Sequence, residues 1–173
     1  MKKIIVIVAM LLLQACASGY TPREYPVRDG AINKFTVIGN VNVTNAQPST
    51  ESVMVYSRNA GELSSNLKSI TDMMVQITKR ELIKNSQSDN GNVSKSIELT
   101  VLSLSSQYKM SHWEGELHFQ AKLGNGMIIE ATTPYTTVYG TTGNNTLGSL
   151  NGSIAEGVVT LLNDQRVQLY LAQ

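Results

Sequence analysis

The strongest constraint on the fold is a pair of strand-like segments, residues 113–123 and 127–139, that meet at a glycine-rich turn. The first segment alternates apolar and polar residues, as a strand with one buried face does; its apolar positions include Leu117, Phe119, Ala121 and Leu123. The turn is Gly124-Asn125-Gly126, whose residues tolerate positive φ angles. Pro134 in the returning segment indicates an edge position or a local break. The pattern therefore predicts an antiparallel hairpin.

Three further segments have strand character. Residues 35–43 alternate in the same way, and residues 53–56 predict a short strand or edge segment. Residues 97–104 also alternate, but the apolar parity changes between Val101 and Leu102. Such a change indicates a β-bulge or a doubly buried centre.

Two helices are predicted between and after these strands. The first covers residues 60–85, with Asn59 and Glu62 as a capping box and the polar residues 85–91 as its end. Its apolar face recurs at helical spacing: Leu63, Leu67, Ile70, Met74 and Ile77. Met73 and Met74 fit flexible core packing better than a ligand role.

The second helix covers residues 150–164 after a loop at 140–148, although Gly152 and Gly157 lower its intrinsic stability. Its buried positions are Leu150, Ile154, Val158 and Leu161, and Ser153 with Glu156 offers a cap. Residues 165–173 form either a last strand or a further helical turn. The predicted fold is α+β, a mainly antiparallel sheet with two helices packed on one face, in the order β-α-β-β-β-α.

The N-terminus has the pattern of a bacterial lipoprotein signal peptide. Lys2 and Lys3 precede an apolar stretch at residues 4–13, which is too short to span a bilayer, and Leu13-Gln14-Ala15-Cys16 forms a lipobox. Cleavage after residue 15 would let Cys16 receive a diacylglycerol on its thiol and palmitate or another acyl group on its amine. Several acyl chains hold a protein stably on a membrane. The alternative is an ordinary secretory leader with an unmodified Cys16.

The sequence after the lipobox predicts location and organisation. Because Ala17 follows Cys16 where inner-membrane lipoproteins carry aspartate, we expect an outer-membrane protein facing the periplasm; the inner membrane is the alternative. Residues 16–33 are predicted to be a flexible lipidated tether, since they contain Gly19, Pro22, Pro26 and Gly30 and show little periodicity. A single domain over residues 34–173 follows it.

Composition excludes several classes of function. The chain has 14 basic and 13 acidic residues, so it lacks the excess positive charge that nucleic-acid binding requires. Cys16 is its only cysteine, and its acylation would leave no thiol for a disulfide, a zinc–thiolate site or a nucleophile. We expect no cofactor, and the expected partners are the membrane and an envelope protein.

One group of residues has the composition of a metal site. His112, Glu114, Glu116 and His118 share one face if their strand is regular, but alternating polar residues are also what a solvated strand face shows. A solvated face is the better interpretation, and a metal-dependent enzyme at His112 and His118 is the weaker alternative. Trp113 has the opposite parity and fits a core or edge anchor better than a binding platform. We find no catalytic motif, which predicts a protein that is not an enzyme.

The lipobox and the order of the elements together resemble the YajG-like family of enterobacterial lipoproteins. The matching parts are the strands at 35–43 and 97–104, the helix at 63–82, the hairpin around Gly124-Asn125-Gly126 and the helix at 158–164. Residues 85–92 depart from the family, which has a Gly-Tyr step there. The resemblance implies no enzymatic activity and assigns a role only to Cys16.

Besides the weaker alternative of a metal-dependent enzyme at His112 and His118, two functions remain after these exclusions. The first is a lipid-anchored, non-enzymatic binding or assembly module that docks on an envelope complex by its sheet edge or loops. The second is an auxiliary lipoprotein that handles lipid or lipopolysaccharide, which requires an apolar groove between the sheet and the helices.

Overall fold

The computed structural model describes residues 18–58, 61–141 and 143–173. Cys16 and the signal peptide therefore lie outside the described residues, and so do Asn59 and Ala60. The elements in chain order are β1 (Ser18–Gly19), β2 (Phe35–Asn45), β3 (Ser52–Arg58), β4 (Gly61–Asn66), α1 (Leu67–Asn85), β5 (Ser86–Lys109), β6 (His112–Leu123), β7 (Ile128–Thr136), α2 (Thr146–Asn163) and α3 (Gln165–Leu171).

The strands form two sheets. The larger has the order β2-β5-β6-β7, in which β2 and β5 are parallel and the other pairs are antiparallel. In the smaller sheet, β1-β4-β3, β1 is parallel to β4 and β3 is antiparallel to it. The α+β class is confirmed, but the larger sheet is mixed because a crossover through β3, β4 and α1 returns the chain in its original direction.

The predicted element order holds only for part of the chain. The order β-α-β-β-β-α is present as β2, α1, β5, β6, β7 and α2. Strand β3 is the short strand predicted at residues 53–56. The elements β1, β4 and α3 were not predicted in that order. Helices α1 and α2 contact each other and the same sheet. A Cβ on Gly157 of α2 would lie 2.4 Å from Leu117 of β6, which shows how closely this helix approaches the strands.

The first helix begins seven residues later than predicted. Residues 61–66 form β4 rather than a helical turn, and Leu63 packs on the core from a strand. Asn66 caps α1, accepting a hydrogen bond from the backbone N–H of Ser69 at 2.7 Å. The helix was predicted too early because Leu63 fits its apolar face. Residues 61–66 favour a helix poorly, since they include a glycine and two serines, and Asn66 provides a better cap than Asn59.

The second helix begins earlier than predicted, at Thr146, because Asn145 accepts a hydrogen bond from the Gly148 N–H at 2.7 Å. The four predicted core positions, Leu150, Ile154, Val158 and Leu161, are fully buried, as expected. The Ser153–Glu156 cap was wrong, since both residues lie inside the helix. Gly152 makes room for the ring of Tyr135, which a Cβ at that position would approach to 2.2 Å.

The strand predictions hold in detail at two positions. The register of β5 against β6 shifts between Val101 and Ser103, so the change of parity marks a β-bulge. Pro134 lies in β7, the edge strand of the larger sheet. An edge position was expected because proline has no N–H to donate to a neighbouring strand. The polar residues after α1 differ from expectation, because they form the start of β5, parallel to β2.

Residues 18–33, which the sequence predicts to be part of a tether, are packed against the domain. Strand β1 pairs with β4, and Tyr20, Val27 and Ile32 are buried. The hydroxyl of Tyr20 donates to Asn151 Oδ1 of α2 at 2.7 Å, and burial raises the pKa of this tyrosine. Buried apolar side chains thus hold the segment on the surface of the domain.

The C-terminal residues form the short helix α3 rather than a strand, so the helical alternative was correct. Asp164 caps it by accepting a hydrogen bond from the Arg166 N–H at 2.8 Å. The side chain of Arg166 also donates to this carboxylate, which lowers the pKa of Asp164. In the described part of the chain, no helix combines the length and the apolar character needed to cross a membrane.

Candidate binding site

The histidines of β6 are not brought together. His112 Nε2 lies 3.2 Å from Glu114 Oε1, and His118 Nε2 lies 2.8 Å from Glu130 Oε1 of β7. They lie on the same face of the strand, but their separation of six residues corresponds to about 20 Å. Glu116 is exposed between them. Over the described ranges no three His, Cys, Asp or Glu side chains are grouped closely enough to hold a metal ion.

A groove of about 440 Å³ lies between β2 and the C-terminal half of α1. This volume is within the range of small-molecule binding sites, about 300–1,000 Å³. The lining combines apolar and polar residues: Val37, Gly39, Asn40, Val41, Lys79, Leu82, Ile83 and Ser86. Ile83 is 83% exposed, so the groove has an apolar residue on its rim as well as in its interior.

Contacts at both ends of β2 set the position of α1 beside the groove. Lys34 Nζ, just before β2, donates to the carbonyl oxygen of Lys84 at 2.8 Å. At the other end, Asn45 Nδ2 donates to the carbonyl oxygen of Lys68 at 3.0 Å. The helix therefore runs antiparallel to β2, and these contacts fix the width of the groove.

The floor of the groove lies at an irregularity in the pairing of β2 with β5. Gly39 has a φ of +81°, and the register of β2 against β5 shifts between Ile38 and Asn40. A Cβ on Gly39 would lie 2.0 Å from the carbonyl oxygen of Val93. Because only glycine fits there, the centre of the floor carries no side chain.

The groove lies beside an unpaired strand edge. In the larger sheet β2 pairs with β5 on one side, and the described residues place no strand on its other side. Next to this irregularity in the pairing, Lys95 Nζ donates to the carbonyl oxygen of Ile38. Lys79 is exposed at the rim and contributes a positive charge. Together these features offer the outer edge of a strand, a cavity with apolar lining residues and the positive charge of Lys79.

A second exposed surface lies at the far end of β5, where β5 turns into β6. We call it the tip surface and define it as Tyr56, Arg58, Tyr108, Met110 and Trp113. The ring of Trp113 is 5.4 Å from that of Tyr56 and 5.2 Å from that of Tyr108. The guanidinium of Arg58 lies 5.0 Å from the centre of the Tyr108 ring, a cation–π geometry. Met110 is 97% exposed.

The neighbouring loop fixes the tip surface in place. The Trp113 N–H donates to Thr137 Oγ1 at 2.8 Å, and the Thr137 N–H donates to the Trp113 carbonyl at 2.9 Å. Asn144 Nδ2 donates to the Ser111 carbonyl at 3.2 Å. The Tyr108 hydroxyl donates to the carbonyl oxygen of Met110, which has a φ of +46°. The exposed apolar side chains are thus carried by a turn that several hydrogen bonds hold in place.

Similarity to known proteins covers most of the chain but is weak. No family model and no curated protein matches it. Among solved structures, it is similar to a Xanthomonas campestris protein of the DUF330 family, with a TM-score of 0.44 and 13% identity over 90% of this chain and 96% of that one. It is also similar to a PelC dodecamer from Paraburkholderia phytofirmans, with a TM-score of 0.30 and 13% identity over 87% and 95%. The resemblance to the YajG-like family stays a prediction.

Neither the groove nor the tip surface was predicted from the sequence. Two signals pointed to the groove: Gly39 inside an alternating strand, which is typical of a bulge, and Ile83 away from the apolar face of α1. Trp113 was expected to be a core or edge anchor. It is half-buried and packs on Tyr108, its partner across the β5–β6 hairpin, and on Tyr56 of β3, which is distant in sequence.

Proposed function

We propose that this chain is a lipid-anchored lipoprotein of the bacterial cell envelope, and that it serves as a non-enzymatic binding or assembly module facing the periplasm from the outer membrane. The anchor follows from the lipobox at Cys16. The binding role rests on one observation, the apolar groove beside the unpaired edge of β2.

An extended protein segment fits these features best. It can pair its backbone with the unpaired edge of β2, as strands added to exposed sheet edges do. Alternate side chains of such a segment point the same way, so they can enter the groove over Val37 and Val41. Ile83 on the rim adds apolar contact area, and Lys79 favours an acidic residue in the segment.

The anchor is tested by replacing Cys16. We expect wild-type protein to incorporate labelled palmitate and to fractionate with the outer membrane. The Cys16→Ala variant should take up no label and appear in the soluble periplasmic fraction, because the acyl chains provide the stable attachment. Ser18→Ala is the matched control and should behave as wild type. A Cys16→Ala variant that loses the label but keeps its location would refute the anchor.

The groove is tested at Ile83, where a substitution should leave the fold intact because the side chain is exposed. A photo-reactive residue at position 83 should form a discrete protein adduct in intact envelopes. Ile83→Asp should reduce recovery of the same protein at least about tenfold, since burying an isoleucine contributes about 1.5–3 kcal/mol. The control is position 76, also exposed on α1 but outside the groove.

The outcomes at position 83 separate the proposed role from the second candidate. Equal adducts at positions 83 and 76 would contradict a specific site in the groove. An acyl-lipid adduct at position 83, together with lipid bound in a native mass spectrum and lost in Ile83→Asp, would instead assign the groove to lipid handling. The groove between sheet and helix is the observation that favours this second function.

A further inference from the structure

We infer that the tip surface is a second membrane contact, in which Trp113, its neighbouring tyrosines and Met110 lie at the lipid–water interface beside the acylated Cys16. This inference rests on the proposed lipidation of Cys16. The occupant of the surface is the lipid headgroup layer of the membrane that holds the acyl chains.

The position of β1 places the anchor beside the tip surface. Ser18 pairs with Leu63 of β4, two residues from Gly61, which pairs with Arg58 of β3. Ser18 and Arg58 are therefore two strand spacings apart across the sheet, about 10 Å. They are two residues apart along the strand direction, about 7 Å. The Cα atom of Cys16 lies within about 8 Å of that of Ser18, since consecutive Cα atoms are 3.8 Å apart.

The packing of residues 18–33 removes the freedom that a long tether would give. Because β1 is paired and Tyr20 is buried, only residues 16 and 17 separate the acyl chains from the fixed part of the chain. The domain must therefore approach the membrane with the end that carries the β3–β4 and β5–β6 turns. Arg58 and Met110 lie at that end.

The side chains of the tip surface have the chemistry of an interfacial contact. Tryptophan and tyrosine are enriched where membranes meet water, because each combines an apolar ring with a polar group. Met110 projects an apolar side chain that is 97% exposed. Val138 and Tyr139 follow Thr137 in the adjoining loop and are also exposed.

The charges around the tip surface are balanced. Arg58 and Lys109 are basic, whereas Glu62 and Glu114 are acidic. Ser57 donates to Glu62 Oε1 at 3.4 Å, and Glu114 lies beside His112. The contact therefore depends on apolar and aromatic side chains, and we expect it to change little with the fraction of anionic lipid or with salt.

The same geometry leaves the groove accessible. Val41 of the groove pairs with Lys95 of β5, and Tyr108 lies 13 residues further along that strand. This separation is about 40 Å along β5. The membrane contact and the proposed protein contact thus occupy opposite ends of the molecule.

The test uses the full, lipidated protein in vesicles of phosphatidylethanolamine and phosphatidylglycerol. Acylated Cys16 leaves no other thiol, so Met110→Cys can be labelled with an environment-sensitive fluorophore. We expect quenching by acyl-chain-brominated lipid to be at least threefold stronger at position 110 than at the control, Met127→Cys. Met127 precedes β7 at the other end of β6, about 35 Å away. Trp113, the only tryptophan, gives a second readout without any substitution.

The outcomes distinguish this inference from the anchor. Strong quenching at position 110 with weak quenching at 127 supports it. Protein that is retained on the vesicles but shows equal quenching at both positions overturns it while leaving the anchor intact. Protein that carries no acyl chain and is not retained refutes the anchor, and with it the membrane contact. If the fluorophore at position 110 becomes protected from water only after envelope proteins are added, the membrane contact is also overturned. The tip surface would then be assigned to a protein partner.

Discussion

Gly39→Ala is expected to destabilise the domain by about 3 kcal/mol, a large part of the 5–15 kcal/mol that folded domains typically have. A left-handed backbone costs alanine about 1–2 kcal/mol. The new Cβ would also lie 2.0 Å from the carbonyl oxygen of Val93, so β2 and β5 would have to separate, which adds about 2 kcal/mol. Urea unfolding followed by circular dichroism, with Cys16→Ala as the common background, measures the change.

Gly30→Ala is the matched control for this substitution. Gly30 has a φ of +79°, but a Cβ at this position would have no other atom within 4 Å. We expect a loss of only about 1 kcal/mol, because backbone strain remains and the steric conflict is absent. Equal losses at positions 30 and 39 would show that the irregular pairing of β2 with β5 relaxes easily, and the floor of the groove would then not require glycine.

Phe119→Ala is expected to cost about 3–5 kcal/mol in the free energy of unfolding. Phe119 is fully buried near the middle of β6, opposite Val101 of β5 and Ala131 of β7. Removing its ring would leave a cavity between the sheet and the helices, which the neighbouring residues cannot fill without moving. The same urea titration measures the loss.

The control for Phe119 is Ile128→Ala on the neighbouring strand. Ile128 is 53% exposed, and we expect a change of about 0.5 kcal/mol. A loss at Phe119 no larger than that at Ile128 would contradict the assignment of Phe119 to the centre of the core.

The sequence predicted the parts of the fold that depend on local pattern. Alternation and a glycine turn predicted the β6–β7 hairpin, and a change of parity predicted the bulge near Leu102. The buried face of α2 was also correct, because helical periodicity reports which residues face the core. These features depend on residues close together in the chain.

The errors arose where distant segments decide the structure. Leu63 fits the helical pattern of α1, but pairing with β3 and β1 makes residues 61–66 a strand. The parallel pairing of β2 with β5 leaves no local signal, and neither does the packing of Tyr20 on Asn151. The groove and the tip surface each join residues from separate elements, so no single segment could reveal them.

The parallel pairing of β2 with β5 affects the order in which the strands of the chain can pair during folding. Strands β3 and β4, β5 and β6, and β6 and β7 pair with sequence neighbours, whereas Val41 and Lys95 must meet across more than 50 residues. Closing so long a loop is slow compared with forming hairpins. We therefore expect the hairpins to form first and β2 to join last, so that until then both β2 and the inner edge of β5 are open to pairing with other chains.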